Sequence, residues 1–299
     1  MTRIEPPPRL RVLASGSGGN CSVLDLPGHE PGSRRIVLID AGLSPRRTLR
    51  LLGEQSLDPE AITDVLLTHP DQDHLHPGWI ARGLPGVLRL HRRHLRRAEN
   101  AGHLRKGVCE PFGDRDGDTI SLDSLDISIS LGDHDAHGST AMRITLASGA
   151  TLGYATDLGT PRSDLIDHLT GCDTLAIESN YCPDLLAGSA RPEFLKRRIA
   201  GGKGHLSNEQ CAEMCEKASP AGSVVLLHLS RECNTPDLAL AGHKRQGYKA
   251  IASNQHTPTP WLDLTPSARP ASPVTTIRGD RRQMAPGLFT QNTRALGSS

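Results

Sequence analysis

Short aliphatic runs bounded by Gly, Pro or Asp recur along the chain at strand length. RLRVLAS (9–15), RIVLIDAG (35–42), DVLLTH (64–69) and GVLRLH (86–91) form a first series of predicted strands. Between them, PRRTLRLLGEQ (45–55) and RRHLRRAENAG (92–102) place apolar residues at helical spacing. A second series follows: DTISL (118–122), LDISISLG (125–132), AMRITLAS (141–148), TLGYATD (151–157), DTLAIES (173–179) and GSVVLLHLS (222–230). Helical stretches are predicted at 161–170, 191–200 and 206–218. Strict alternation in ISIS predicts a strand with one buried face. The unbroken run VVLLHLS predicts a strand covered on both faces. Two successive series of this kind predict an α/β chain of two stacked sheets flanked by helices.

Composition narrows the class. The 299 residues (32.1 kDa) are 22% charged and 36% apolar, which excludes whole-chain disorder. A chain of this size buries about three quarters of its unfolded surface. No apolar run approaches the ~20 residues that span a bilayer, so no membrane association is expected. The opening MTRIEPPPRLRVLAS has an acid and three prolines where a secretion signal has an apolar stretch. Seven scattered cysteines, an odd number, point to reduced thiols. Both observations lead us to expect a cytoplasmic protein. The net charge is +1, unevenly spread: residues 265–299 hold five Arg and one Asp, with much Pro, Ser and Thr. We read 1–264 as the folded domain and 265–299 as a flexible basic tail. The tail is either an arm for polyanions or a solvated extension without a role.

The segment Thr68-His69-Pro70-Asp71-Gln72-Asp73-His74 carries the chemistry. Four side chains able to bind a metal follow a predicted buried strand within six residues. Imidazole and carboxylate suit Zn, Fe, Mn or Co. Asp and His are also ordinary turn residues, but more of them close later strands: His134 in GDHDAHG, Asp157 in YATDLG and His228 in LLHLS. Strands of one sheet often end on the same edge, so these side chains could converge there. Asp157 fits the role of a carboxylate bridging two divalent ions.

These residues resemble the metallo-β-lactamase superfamily, whose signature His-x-His-x-Asp-His reads here His69-Pro70-Asp71-Gln72-Asp73-His74. The wider match resembles its YycJ/WalJ-type branch, near ribonuclease Z and the cyclic-phosphate phosphodiesterases. It rests on ASGSGGNC (14–21), LIDAGLS (38–44), HDAHGS (134–139), YATDLG (154–159), IESNY (177–181), GHLSNEQCA (204–212) and LLHLSRECN (226–234). The resemblance implies a four-layer αββα sandwich with two divalent metal ions (Zn, Mn or Fe) at the edge between the sheets. It places His69, Asp71 and His134 on the first ion, Asp73, His74 and His228 on the second, and Asp157 between them. A metal-bound hydroxide would be the nucleophile, since divalent cations lower the pKa of bound water from 15.7 to about 7. Asp71 stands where the family has His. A carboxylate there would harden the site toward Mn or Fe, or the position has lost its ligand.

By the same resemblance, His205 in Gly204-His205-Leu206-Ser207 would assist the leaving oxygen, oriented by Glu178. The alternative is a helix start with an exposed His and Ser207 or Asn208 as its cap. The catalytic candidates are thus Asp73, His205 and Glu178. The Gly/Ser loop 15–20 reads as a tight hairpin or a phosphate-binding mouth. His76, His91, His94, His103 and His137 read as surface residues or supports of the site, and Cys211 and Cys215 as one buried helix face. The expected function is a metal-dependent phosphodiesterase or nuclease acting on DNA, RNA or a cyclic nucleotide. Aromatics are only 3%, which favours reading the phosphate backbone over the bases. The alternatives are a thioester or lactone hydrolase on the same centre, or a non-catalytic scaffold because of Asp71. The partner expected is nucleic acid or a small phosphodiester, and a homodimer is left open.

Overall fold

Alternate side chains of each aliphatic run face opposite ways, and this parity sorts them into separate cores. In residues 34–39, Val37 and Ile39 enter a central core while Ile36 and Leu38 enter an outer one. In residues 223–227, Val225 and Leu227 enter the same central core, and Val224 and Leu226 enter an outer core on the other side. A strand packed on both faces needs this unbroken hydrophobicity.

The protein is described by a computed structural model at residues 6–102, 109–113, 118–244 and 247–267. The first sheet contains β1 (Arg9–Ala14), β2 (Cys21–Pro27), β3 (Arg34–Ile39), β4 (Ile62–Leu67), β5 (Val87–His91) and β6 (Cys109–Phe112). The second contains β7 (Thr119–Leu122), β8 (Leu125–Gly132), β9 (Ser139–Leu146), β10 (Thr151–Ala155), β11 (Thr174–Glu178), β12 (Ser223–Leu227) and β13 (Lys249–Ala252). The chain then returns to the first sheet, where β14 (Leu262–Asp263) pairs antiparallel with β1, Leu262 opposite Leu10. The strand orders are β14-β1-β2-β3-β4-β5-β6 and β13-β12-β11-β10-β9-β8-β7.

The helices are α1 (Pro45–Glu54), α2 (Gly78–Arg82), α3 (Leu95–Asn100), α4 (Ser163–Leu169), α5 (Pro183–Gly188), α6 (Glu193–Ala200), α7 (Asn208–Ala218) and α8 (Pro236–Ala241). Leu51 and Leu52 of α1 and Trp79 of α2 cover the outer face of the first sheet. Leu165 and Leu169 of α4, with Cys211, Met214 and Cys215 of α7, cover that of the second. Helices thus flank both sheets, giving the αββα sandwich. Cys211 and Cys215 are fully buried on one face of α7, as their spacing implied.

Some elements differ from the sequence reading. Strand β2 escapes the pattern because Asp25 interrupts it. That carboxylate is buried and held by Arg9 and Arg34, each at 2.8 Å. The stretch 92–102 begins with a 3-10 turn, Arg92–His94, before α3. His91 and His94 are buried rather than on the surface. Neither ring nitrogen of His94 has a hydrogen-bond partner among the described residues. Burial, with His91 and His137 nearby, pushes its pKa down to about 3. His103 and residues 268–299, most of the expected tail, lie outside the described residues. Ser267 donates its backbone N–H to Asp173 at 2.8 Å.

Candidate metal centre

Strand direction brings the candidate ligands together. β10, β11 and β12 run parallel, and β8 points the same way because both it and β10 are antiparallel to β9. Their carboxyl ends release His134, Asp157, Glu178 and His228 at one edge. In the first sheet β3 and β4 are parallel, and their ends release Asp40 and the run from His69 to His74. Thr140 N donates to Thr68 O at 2.9 Å, joining the two sheets beside this edge. Asp40, Asp157 and His228 have φ of 62°, 56° and 54°, the left-handed region that non-glycine residues rarely occupy. Strained backbone of this kind clusters at functional sites.

Asp157 sits at the middle. Its Oδ2 is 2.9 Å from His74 Nε2, and its Oδ1 is 3.0 Å from His228 Nδ1 and 3.9 Å from His134 Nε2. Ligand atoms of His69, His134 and Asp157 lie within 4.8 Å of one another, and so do those of Asp73, His74 and His228. Asp73 Oδ2 is 3.4 Å from His228 Nε2 and 3.7 Å from His74 Nε2. Asp71 Oδ1 is 3.9 Å from His69 Nε2 but only 2.8 Å from Arg97, a partner the sequence did not reveal. Asp71 falls into a further ligand group with His134 and Asp135.

Burial and charge compete in these groups. Burial alone would lower His74, but Asp157, Asp40 and Asp73 outweigh it and hold its pKa well above the usual value. His228 is raised in the same way, against burial, by Asp157, Asp73 and Glu178. His69, buried and next to His74, is pushed well below. Asp157 stays well below the carboxylate range, against burial, because His228 and His74 face it. Asp71 is raised by burial despite Arg97. The pocket therefore has a surplus of carboxylates drawing in positive charge. His228 Nδ1 is buried without an aligned hydrogen bond, although Asp157 and Glu178 oxygens lie 3.0 and 3.5 Å away. Imidazoles and carboxylates gathered around such an atom fit a borderline or hard divalent cation.

Supports hold these groups in place. Asp40 Oδ2 is 2.7 Å from His74 Nδ1, and Asp40 also accepts from Thr68 N and Oγ1. This leaves His74 Nε2 facing the centre. His134 Nδ1 is 3.0 Å from Gly204 O. Asn20 Nδ2 lies 3.0 Å from His74 Nε2, and Asn180 donates to the His228 carbonyl at 2.8 Å. His205 Nδ1 is 2.6 Å from Glu178 Oε1, whose other oxygen accepts from Leu158 N at 2.6 Å. Burial opposes it, yet Glu178 raises the pKa of His205. Ser207 caps α7 with a capping box, while the His205 ring remains part-buried beside Asp157 at 3.4 Å. The helix start expected at this segment is present, but His205 is part-buried rather than exposed.

The profile of the beta-lactamase superfamily domain matches residues 35–229. The chain belongs to that superfamily. Two bacterial members align along most of the chain. Exodeoxyribonuclease WalJ of Streptococcus pneumoniae D39 is 30% identical over 242 residues, covering 76% of this chain and 84% of its own. Exodeoxyribonuclease YycJ of Bacillus anthracis is 27% identical over 240 residues with the same coverage. Among solved structures, zinc-bound PqqB from Methylobacterium extorquens superposes with a TM-score of 0.64 at 16% identity, covering 86% of this chain and 100% of that one.

In this superfamily member, the sequence pattern marks the candidate ligand runs but not several residues that support them. Asp40 lies inside LIDAGLS and Asn20 inside ASGSGGNC, where nothing in the sequence marks either side chain as a support. The 15–20 segment is a hairpin between β1 and β2 and also borders the site. Ser15 Oγ accepts from His228 N at 2.8 Å, and Ser17 lines the cleft. Gln255 locks this hairpin, accepting from Gly18 N at 2.8 Å and donating to Gly19 O at 2.9 Å. The cleft, about 240 Å³, also exposes Asp73, His134, Asp157, His205 and His228. No helix among the described residues is long and apolar enough to cross a membrane.

Proposed function

We propose that the protein is a metal-dependent phosphodiesterase that acts as a nuclease on DNA. The observation that carries this is the convergence of both ligand groups on Asp157 in a cleft shared with the His205–Glu178 pair. The exodeoxyribonuclease names of the bacterial relatives support DNA as the substrate. In this reading His69, Asp71 and His134 would hold one divalent ion and Asp73, His74 and His228 a second, with Asp157 placed to contribute to either. Bound there, such ions activate water and stabilise the oxygens of an in-line phosphoryl displacement. Zinc is compatible with the imidazoles, whereas Asp71 shifts the preference toward manganese or iron.

The chain's own residues supply the rest. Glu178 takes His205 Nδ1 and leaves Nε2 for the substrate. Its charge favours the imidazolium, which then gives a proton to the leaving oxygen. Arg191, Arg198 and Lys203 line the cleft and match a phosphate-rich substrate better than a thioester or lactone. A cytoplasmic location fits seven cysteines with no disulfide among them.

The test is a panel of bis-p-nitrophenyl phosphate, DNA, a thioester and a lactone, with metal-reconstituted wild type and Asp73→Ala. We expect metal-dependent cleavage of the two phosphodiesters, lowered by at least about 100-fold in the variant. Elemental analysis should show two bound ions in wild type. Hydrolysis of the thioester or lactone alone, or no metal uptake, would overturn the proposal.

A further inference from the structure

We propose that α6 and the loop after it form a binding rim for an unpaired end of single-stranded nucleic acid, with Phe194 stacking on a base beside the metal centre. This rests on the phosphodiesterase reading above and names the form of its substrate.

Helix α6 has no buried residue, and one side of it borders the cleft. Ile199 packs on the small cluster of Tyr181, Leu186 and Cys233. The carboxyl end of the helix is tied to the catalytic region, because His205 N donates to Ile199 O at 2.8 Å. A Cβ on Gly204 would approach Arg198 O and Ile199 O to 2.2 Å, so only glycine allows this contact. The helix therefore has a fixed position relative to His205.

Leu195, Arg198 and Ile199 line the cleft. Phe194 is 69% exposed, the barest large apolar side chain among the described residues. Phe194 and Arg198 are four positions apart, neighbours on one helical strip. An uncovered aromatic ring thus stands next to an arginine that lines the cleft.

Positive charge continues on both sides. Arg191 and Lys203 line the cleft with Arg198, and Lys203 and Arg97 line an adjoining depression with Asp135 and His137. Carboxylates offset part of it: Arg198 pairs with Asp135 at 3.1 Å, Arg191 with Glu232 at 3.2 Å and Arg97 with Asp71 at 2.8 Å. Arg197 and Lys203 have no ion-pair partner among the described residues. Such charge holds phosphates of any strand. The ring adds selectivity, because a base inside a duplex has both faces covered by its neighbours, and an unpaired base offers one for stacking.

The test is fluorescence anisotropy with the full-length, metal-loaded protein and a phosphorothioate oligodeoxythymidylate, of roughly 12 nucleotides, that resists cleavage. A matching abasic strand keeps the charge and lacks the bases. Phe194→Ala should weaken binding of the thymidylate about tenfold, leave the abasic strand unaffected, and be rescued by Phe194→Trp. Equal affinity of Phe194→Ala and wild type for the thymidylate, or equal loss on both strands, would overturn the proposal. So would a change only in oligomeric state by gel filtration, which would mark Phe194 as a contact for a second copy. Wild-type cleavage of bis-p-nitrophenyl phosphate is scored separately. Its absence sinks the phosphodiesterase reading, whereas its presence beside unaltered Phe194 variants sinks the strand rim alone.

Discussion

A single carboxylate, Asp40, decides how His74 presents itself. At 2.7 Å from Nδ1 and fully buried, it fixes which ring nitrogen faces Asp157 and Asp73. Asp40→Asn should therefore lower metal affinity by about 10–100-fold while the fold persists, measurable by chelator competition alongside circular dichroism. Unchanged affinity would show that the ring is held by packing alone. The proposed ligands were legible in the sequence because four of them crowd into one turn, and the others close strongly patterned strands. Asp40 was not, because an acid after a strand looks like any turn residue. Its partnership with His74 comes from the lateral pairing of β3 with β4, where Ile39 lies opposite Leu66. The Asp71–Arg97 pair was hidden for a similar reason, since it depends on where α3 packs. Phe194 shows the limit of composition: a low aromatic content says little when one exposed ring lies a helical turn from Arg198 of the cleft.

Between elements, the closest approach is made by Gly42 in the loop after β3. A Cβ there would lie 1.7 Å from the carbonyl oxygen of Asp73. The same carbonyl accepts from Asn20 N at 2.7 Å, so three loops meet with no room to adjust. Gly42→Ala should destabilise the protein by about 3 kcal/mol, visible as a lowered midpoint in chemical denaturation, and should reduce metal retention as Asp73 shifts. Strands with clean patterns, such as Leu125–Gly132 and Ser223–Leu227, matched the sequence reading closely. The missed elements have physical reasons. β2 has a buried Asp25 paired with two arginines. β13 and β14 span four and two residues, too few for a period to show. Helices α2, α5 and α8 have only five or six residues each.

For the whole molecule, the proposed ligands come from both halves of the sandwich. His69, Asp73 and His74 follow a strand of the first sheet, and His134, Asp157 and His228 follow strands of the second. Ions bound between them would fasten the sheets together as well as serve the reaction. Removing metal should then lower stability by about 4 kcal/mol when the ion had been present at a thousand times its dissociation constant. By calorimetry that is a fall of roughly 10 °C in Tm. An unchanged midpoint after complete chelation would separate the centre from the fold's integrity. The order of strand runs made the layered architecture legible, but not the return of the chain to its first sheet. That return has a consequence for synthesis. Gln255 locks the hairpin at residues 16–19, and β14 completes the sheet beside β1. A nascent chain that stops short of Gln255 already contains each proposed ligand, yet its first loop has nothing to close against. Competence for catalysis would thus arrive late in translation, when the far end of the domain emerges and folds back on the beginning.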